Sequence, residues 1–222
     1  MQHSPSIIDV TPRVQGVASK VYFLLALAFF LTGIGVVLGA VFAPFILRSG
    51  WMTLFLFAEM GLILSAPLWM HRSPLNILLF GVFPLFSGIS LTPFLLSVSY
   101  QYVNGVTILI NASISTMLLA LASGVIASQS KADLSDSYGW IVFQGLLGLI
   151  IFGLLQLFFP ALRGEVFEVM ASGIGILIFS VYIAIDFQRV LRQSADSPFL
   201  LALTLYLDLY NLFLSVARFM IA

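Results

Sequence analysis

Apolar residues run along most of the chain in long unbroken stretches, punctuated by short clusters of charged residues, Pro and Gly. A helix needs about 20 apolar residues to cross the hydrocarbon of a bilayer. Read this way, the pattern predicts seven spans, at 21–47, 51–70, 75–98, 105–127, 138–160, 167–188 and 198–221. The boundary between the third and fourth is the least marked, because no charged residue occurs from Ser73 to Ser130; the polar stretch from Ser99 to Gly105 supplies the turn. Short connections make neighbouring helices antiparallel. The first 20 residues are polar and contain Pro5 and Pro12, with no short apolar core and cleavage site, so they read as a tail before an uncleaved helix. The expected organisation is an all-α polytopic protein: a cytoplasmic tail over 1–20 and a seven-helix transmembrane domain over 21–222, with no second domain and no clear internal repeat.

The last span departs from uniform apolarity. Thr204, Asp208, Asn211, Ser215 and Arg218 recur at spacings of 4, 3, 4 and 3, which puts them on one helix face. The rest of that helix is nearly all Leu, Tyr, Phe, Val and Ala. A polar stripe at membrane depth must face protein or water, which places the seventh helix centrally in the bundle. Thr, Asn and Ser alone would read as interhelical hydrogen bonding. A charge of each sign on the stripe favours a buried polar pathway.

Composition narrows the class. Of 222 residues, 61% are hydrophobic and 8% charged, and mean hydropathy is +1.12; soluble domains are roughly 25% charged. This excludes a soluble globular domain, a disordered chain and a nucleic-acid binder. A transmembrane barrel would alternate in segments of about ten residues, and this chain does not. Net charge is zero and cysteine is absent. Disulfides, thiolate nucleophiles and Cys-based metal sites are thereby excluded. His3 and His71 are far apart and no HExxH pattern occurs, so no resident cofactor is expected. Lys and Arg counts set orientation. With the N-terminus cytoplasmic, the inner side holds Arg13, Lys20, Arg72, Lys131, Arg189 and Arg192, and the outer side Arg48, Arg163 and Arg218. That bias favours a cytoplasmic N-terminus and an external C-terminus.

Ionisable groups inside spans are costly and mark function by default. Four qualify: Glu59, Asp186, Asp208 and Arg218. At 1.5 Å per residue, Asp208 lies ~15 Å into the seventh helix and Asp186 ~10 Å from the same inner end. On sequential antiparallel helices these carboxylates meet about a turn apart. Glu59 lies ~12 Å in from Trp51, in the outer half with Arg218, so these two are expected to form an ion pair between helices two and seven. Two close carboxylates in a poorly solvated site share a proton and titrate as a pair, which makes them a pH switch. Deprotonated, they are hard oxygen ligands suited to transient Ca²⁺. Arg72, beside His71 at the inner end of the second span, is within reach of the same region. Gly33, Gly35 and Gly39, and Ala112, Thr116, Ala120 and Ser123, read as close-packing faces. Pro84 and Pro93 read as kinks, and Trp51, Trp69 and Trp140 as interfacial aromatics.

The stretch from Phe179 through Asp186-Phe187-Gln188-Arg189, followed by Leu205-Tyr206-Leu207-Asp208-Leu209-Tyr210-Asn211-Leu212-Phe213, resembles the Bax-inhibitor family, bacterial members included. The resemblance implies seven helices with the seventh surrounded by the other six. It also implies a pH-sensitive calcium leak governed by a di-aspartyl pair, here Asp186 and Asp208. Glu59 and Arg218 look like the family's helix two to helix seven ion pair, and Arg72 is the candidate for its basic latch. Thr204, Asn211 and Ser215 would line the pathway. The expected setting is a bacterial inner membrane. Expected partners are the lipid bilayer, calcium or other cations and other membrane proteins, with no nucleic acid.

Two other classes compete. A regulatory protein that modulates a membrane protease or a stress response would act through partners. An intramembrane aspartyl protease would also use two Asp residues on adjacent spans. Neither Asp186 nor Asp208 sits in the Tyr-Asp and Gly-x-Gly-Asp contexts of that family, and no Pro-Ala-Leu motif follows. The protein is therefore expected not to be an enzyme.

Overall fold

The computed structural model describes residues 11–48, 51–192 and 197–222. His3 and the first half of the predicted tail lie outside the described residues, as do the side chains of Arg13 and Arg48. All regular elements among the described residues are helical: α1 (Thr11–Val41), α2 (Ala43–Arg48), α3 (Trp51–Leu64), α4 (Ala66–Trp69), α5 (Leu75–Gln101), α6 (Gly105–Gln129), α7 (Leu134–Phe158), a 3₁₀ turn (Pro160–Arg163), α8 (Glu165–Leu191) and α9 (Pro198–Ile221). Six of them are long and apolar enough to cross a membrane: α1 from Gly16, then α5 to α9.

Proline accounts for both main departures from the predicted spans. The first helix begins at Thr11, within the predicted tail, and stops at Val41 rather than running to 47. Pro44 has no N–H to bond back into the helix; the chain turns at Phe42, with Phe45 N–H on Phe42 O at 3.0 Å, and α2 follows. The second predicted span, 51–70, is interrupted at Ser65. Pro67 lacks the N–H that would continue α3, and Leu68 N–H bonds Ser65 O at 2.9 Å to start α4. At 14 residues, α3 is ~21 Å long. By contrast α5 runs unbroken through Pro84 and Pro93. The third-to-fourth turn falls at 102–104, within the polar stretch expected to hold it, and α9 coincides with the predicted seventh span.

α7 starts at Leu134, four residues before its predicted span, because Asp133 caps it. Its Oδ1 accepts from the Ser135 and Asp136 N–H groups at 2.9 and 3.2 Å, which satisfies donors that a helix start leaves open. Asp133→Ala should lower stability by about 1 kcal/mol, measured by thermal unfolding in detergent.

Packing brings α5 along α1 and α9 along α8. At the α1–α5 crossing the backbones touch. A Cβ on Gly35 would collide with Leu85 O, and one on Gly88 with Thr32 O and the Gly35 Cα. Gly39 leaves room for Thr92, whose hydroxyl donates to Val36 O across the interface at 3.2 Å. Gly33 touches nothing there, so two of the three predicted glycines form the contact face. On α6, Ala112, Thr116 and Ser123 are buried, and Ser123 donates to Ser180 O of α8 at 2.9 Å.

α9 packs against α1, α5, α6 and α8, while α3 packs on α5 and α7 on α8. Leu205, Tyr206, Leu212 and Ala217 of α9 are fully buried. The Tyr206 hydroxyl shares a hydrogen bond with Thr32 of α1 at 2.7 Å, and the Tyr210 hydroxyl donates to Ser87 O of α5 at 3.2 Å. Trp51 and Trp140 are exposed near helix starts, as interfacial aromatics are. Trp69 is instead 4% exposed; it belongs to the core around Val21 and Phe80, and its indole N–H reaches Leu62 O and Ser65 Oγ.

Candidate functional site

Asp186 lies in the penultimate turn of α8, ~8 Å from its end, and Asp208 lies ~15 Å into α9. The antiparallel packing of α8 on α9 brings the two carboxyl groups alongside each other, as the depth arithmetic requires. Asp186 is 2% exposed and Asp208 partly buried. One Asp186 oxygen, Oδ1, accepts from Arg189 Nη1 at 3.2 Å. The other, Oδ2, is buried with no hydrogen-bond partner among the described residues. The Thr204 hydroxyl stands beside Asp186 while donating to Leu201 O of its own helix at 3.2 Å.

The cation at the pair is therefore Arg189, not Arg72. Arg72 is exposed in the turn after α4 and makes no ion pair among the described residues. The signal for Arg189 was local: an Asp three residues before an Arg on a helix places the two on one face.

Glu59 and Arg218 do not meet. Glu59 Oε2 accepts from Ser90 Oγ at 2.6 Å, and the Arg218 guanidinium lies 6.0 Å above the Phe94 ring. The ion pairs among the described residues are Arg189–Asp186 and Arg192–Asp133. Similar depth did not bring similar direction. Ser90 and Phe94, one turn apart on α5, each engage one of the two charges.

The remaining stripe residues satisfy themselves within α9. Asn211 Nδ2 donates to Leu207 O and Ser215 Oγ to Asn211 O, each at 2.8 Å. Asn211, Ser215 and Arg218 nevertheless line a cleft of about 370 Å³ between α7, α8 and α9, together with Gln156, Glu168 and Ser172. A second cleft of about 470 Å³ carries Arg163, Glu165, Glu168 and Arg218 at the same end of the bundle. The polar face of α9 thus runs from the aspartate pair toward an opening at the far end. Among the described residues no group of three or more His, Cys, Asp or Glu side chains converges.

Apolar helices long enough to span a bilayer, closed around an acidic pair on the last two of them, define an integral membrane protein with a buried ionisable site. The chain belongs to the Bax inhibitor family: the family described as "Inhibitor of apoptosis-promoting Bax1" matches residues 14–222. It is 31% identical to an uncharacterized protein of Campylobacter jejuni, over 89% of this chain and 84% of the relative. It is 30% identical to Protein lifeguard 4 of Mus musculus, over 90% and 82%, and 32% identical to the Golgi anti-apoptotic protein of Vaccinia virus strain Lister, also over 90% and 82%.

Proposed function

We propose that the protein is a pH-sensitive cation leak, with Ca²⁺ as the transported ion and Asp186 and Asp208 as sensor and gate. The observation that carries this reading is the carboxyl pair, with Asp186 buried and one of its oxygens unpartnered. An unsatisfied buried carboxylate oxygen is costly, and a proton held between the two groups removes that cost. Loss of the proton leaves two like charges side by side. Helices α8 and α9 then separate or admit a cation. Two carboxylates are far short of the six to eight oxygens Ca²⁺ takes, so a passing ion keeps much of its water. The polar face past Asn211 and Ser215 to the far clefts supplies the rest of the route.

In this reading the chain crosses the membrane seven times, with α3 and α4 together forming the short second span. The N-terminus is cytoplasmic, the membrane is a bacterial inner membrane, and the protein is not an enzyme. The purified protein in liposomes, tested for Ca²⁺ entry across a pH series, gives pH-dependent flux without any partner. No flux at any pH overturns the proposal. A second reading, a regulatory membrane protein, draws on the names of the mouse and viral relatives; it calls for a binding partner and no flux from the protein alone.

A further inference from the structure

The last two turns of α8 are bound to the turn between α6 and α7 through three side chains. Gln188 accepts from Leu134 N–H at 2.8 Å and donates to Ala132 O at 2.9 Å. Arg192 donates to Asp133 Oδ2 and to the carbonyls of Ser130, Lys131 and Ala132, at 3.0 to 3.3 Å. Arg189 divides its guanidinium, with Nη1 on Asp186 and Nη2 on Ser135 Oγ, each at 3.2 Å. Gln188 and Arg192 already satisfy the turn, so tying down the turn does not by itself account for Arg189. Its planar fork joins the first turn of α7 to the buried carboxylate, and a point-like ammonium would not hold both.

We propose that Arg189 is a positioning residue for the aspartate pair, fastened to the α6–α7 turn so that displacement of the turn reaches Asp186. This rests on the sensor half of the leak reading, the titration of the two carboxyl groups as a pair. The groups that bear on Asp186 are Asp208 of α9, Arg189 and, one helical turn back, Tyr182. Around the turn stand Lys131, Asp133 and Asp136, with Asp133 engaged by Arg192. On α1 the Tyr22 ring packs on Phe187, and Lys20 stands two residues before Tyr22; α6 carries no charged residue. Arg189 is thus the cation that offsets the mutual repulsion of the carboxylates, and its grip depends on where Ser135 stands.

The test reads protonation directly, without ion flow. The infrared band of protonated carboxyl groups is followed against pH in the full-length protein in liposomes; the signal missing from the Asp186→Asn/Asp208→Asn variant belongs to the pair. Loss of a neighbouring cation favours the neutral acid, so Arg189→Gln moves the midpoint of that signal to higher pH by about 1 to 2 units. Arg189→Lys, which keeps the charge, returns most of the shift. Ser135→Ala, which touches neither carboxylate, moves the midpoint the same way by a smaller step. A midpoint unmoved by Arg189→Gln overturns the positioning role, and one unmoved by Ser135→Ala overturns the link to the turn. If the band shifts as expected while wild-type liposomes pass no Ca²⁺, the leak reading falls and this one stands. An unshifted band with pH-dependent flux gives the reverse.

Discussion

Flux through the Asp186→Asn/Asp208→Asn double variant should be flat with pH, whereas wild-type flux changes steeply across the titration of the pair. Asparagine keeps the size of aspartate and most of its hydrogen bonding, so the helices still pack; only the proton is lost. In the proposed leak, occupancy of the shared-proton state falls about tenfold per pH unit above the midpoint, and flux is expected to follow it. Each single variant leaves one carboxylate with no like charge beside it, so the repulsion that would part the helices is lost and the pH dependence should weaken in both. Ca²⁺ entry into liposomes at fixed gradient and varied pH measures this. A double variant with the wild-type pH profile would show that the sensor lies elsewhere.

Gly88→Leu should be severely damaging although it lies outside the site. Even a Cβ at this position falls on Thr32 O and the Gly35 Cα. These are backbone atoms of a packed helix and cannot rotate aside. The remaining leucine atoms force α1 and α5 apart, costing roughly 3 kcal/mol or more. The expected result is a protein that extracts poorly or unfolds at much lower temperature in detergent. Gly33→Ala is the control. Gly33 sits on the same helix as Gly35 with open space around it, and alanine is the better helix former, so stability should be unchanged or slightly higher. Equal behaviour of the two variants would mean that the close approach at Gly35 and Gly88 contributes nothing.

Length and apolarity alone revealed the helices from α5 onward, because a span leaves a signal some twenty residues long. They did not reveal where α1 and α3 stop. Pro44 and Pro67 each act at a single position inside an otherwise apolar run, and hydropathy does not register a missing N–H. In the site, the aspartate pair was legible because both residues lie on consecutive helices at calculable depths. The Glu59–Arg218 pairing failed because depth fixes only one coordinate. The direction each side chain takes around its helix is set by packing, here by α5, whose Ser90 and Phe94 engage the two charges. Arg189 was missed for a different reason. As a basic residue near a helix end it reads as an orientation signal, although its three-residue spacing from Asp186 puts both on one face.

The two tyrosine hydroxyls of α9 tie it to one side of the bundle. Tyr206 is tied to Thr32 and Tyr210 to the Ser87 carbonyl, so α9 is anchored to α1 and α5, which are themselves in backbone contact. Asp208 rides on that frame. Asp186 rides on α8, whose end is clasped to the α6–α7 turn. In the proposed leak, parting the two aspartates would separate α8, with the α6–α7 turn clasped to its end, from α9. Ser123 bonding to Ser180 ties α6 to α8 as well, so in that proposal the seam would run along α9.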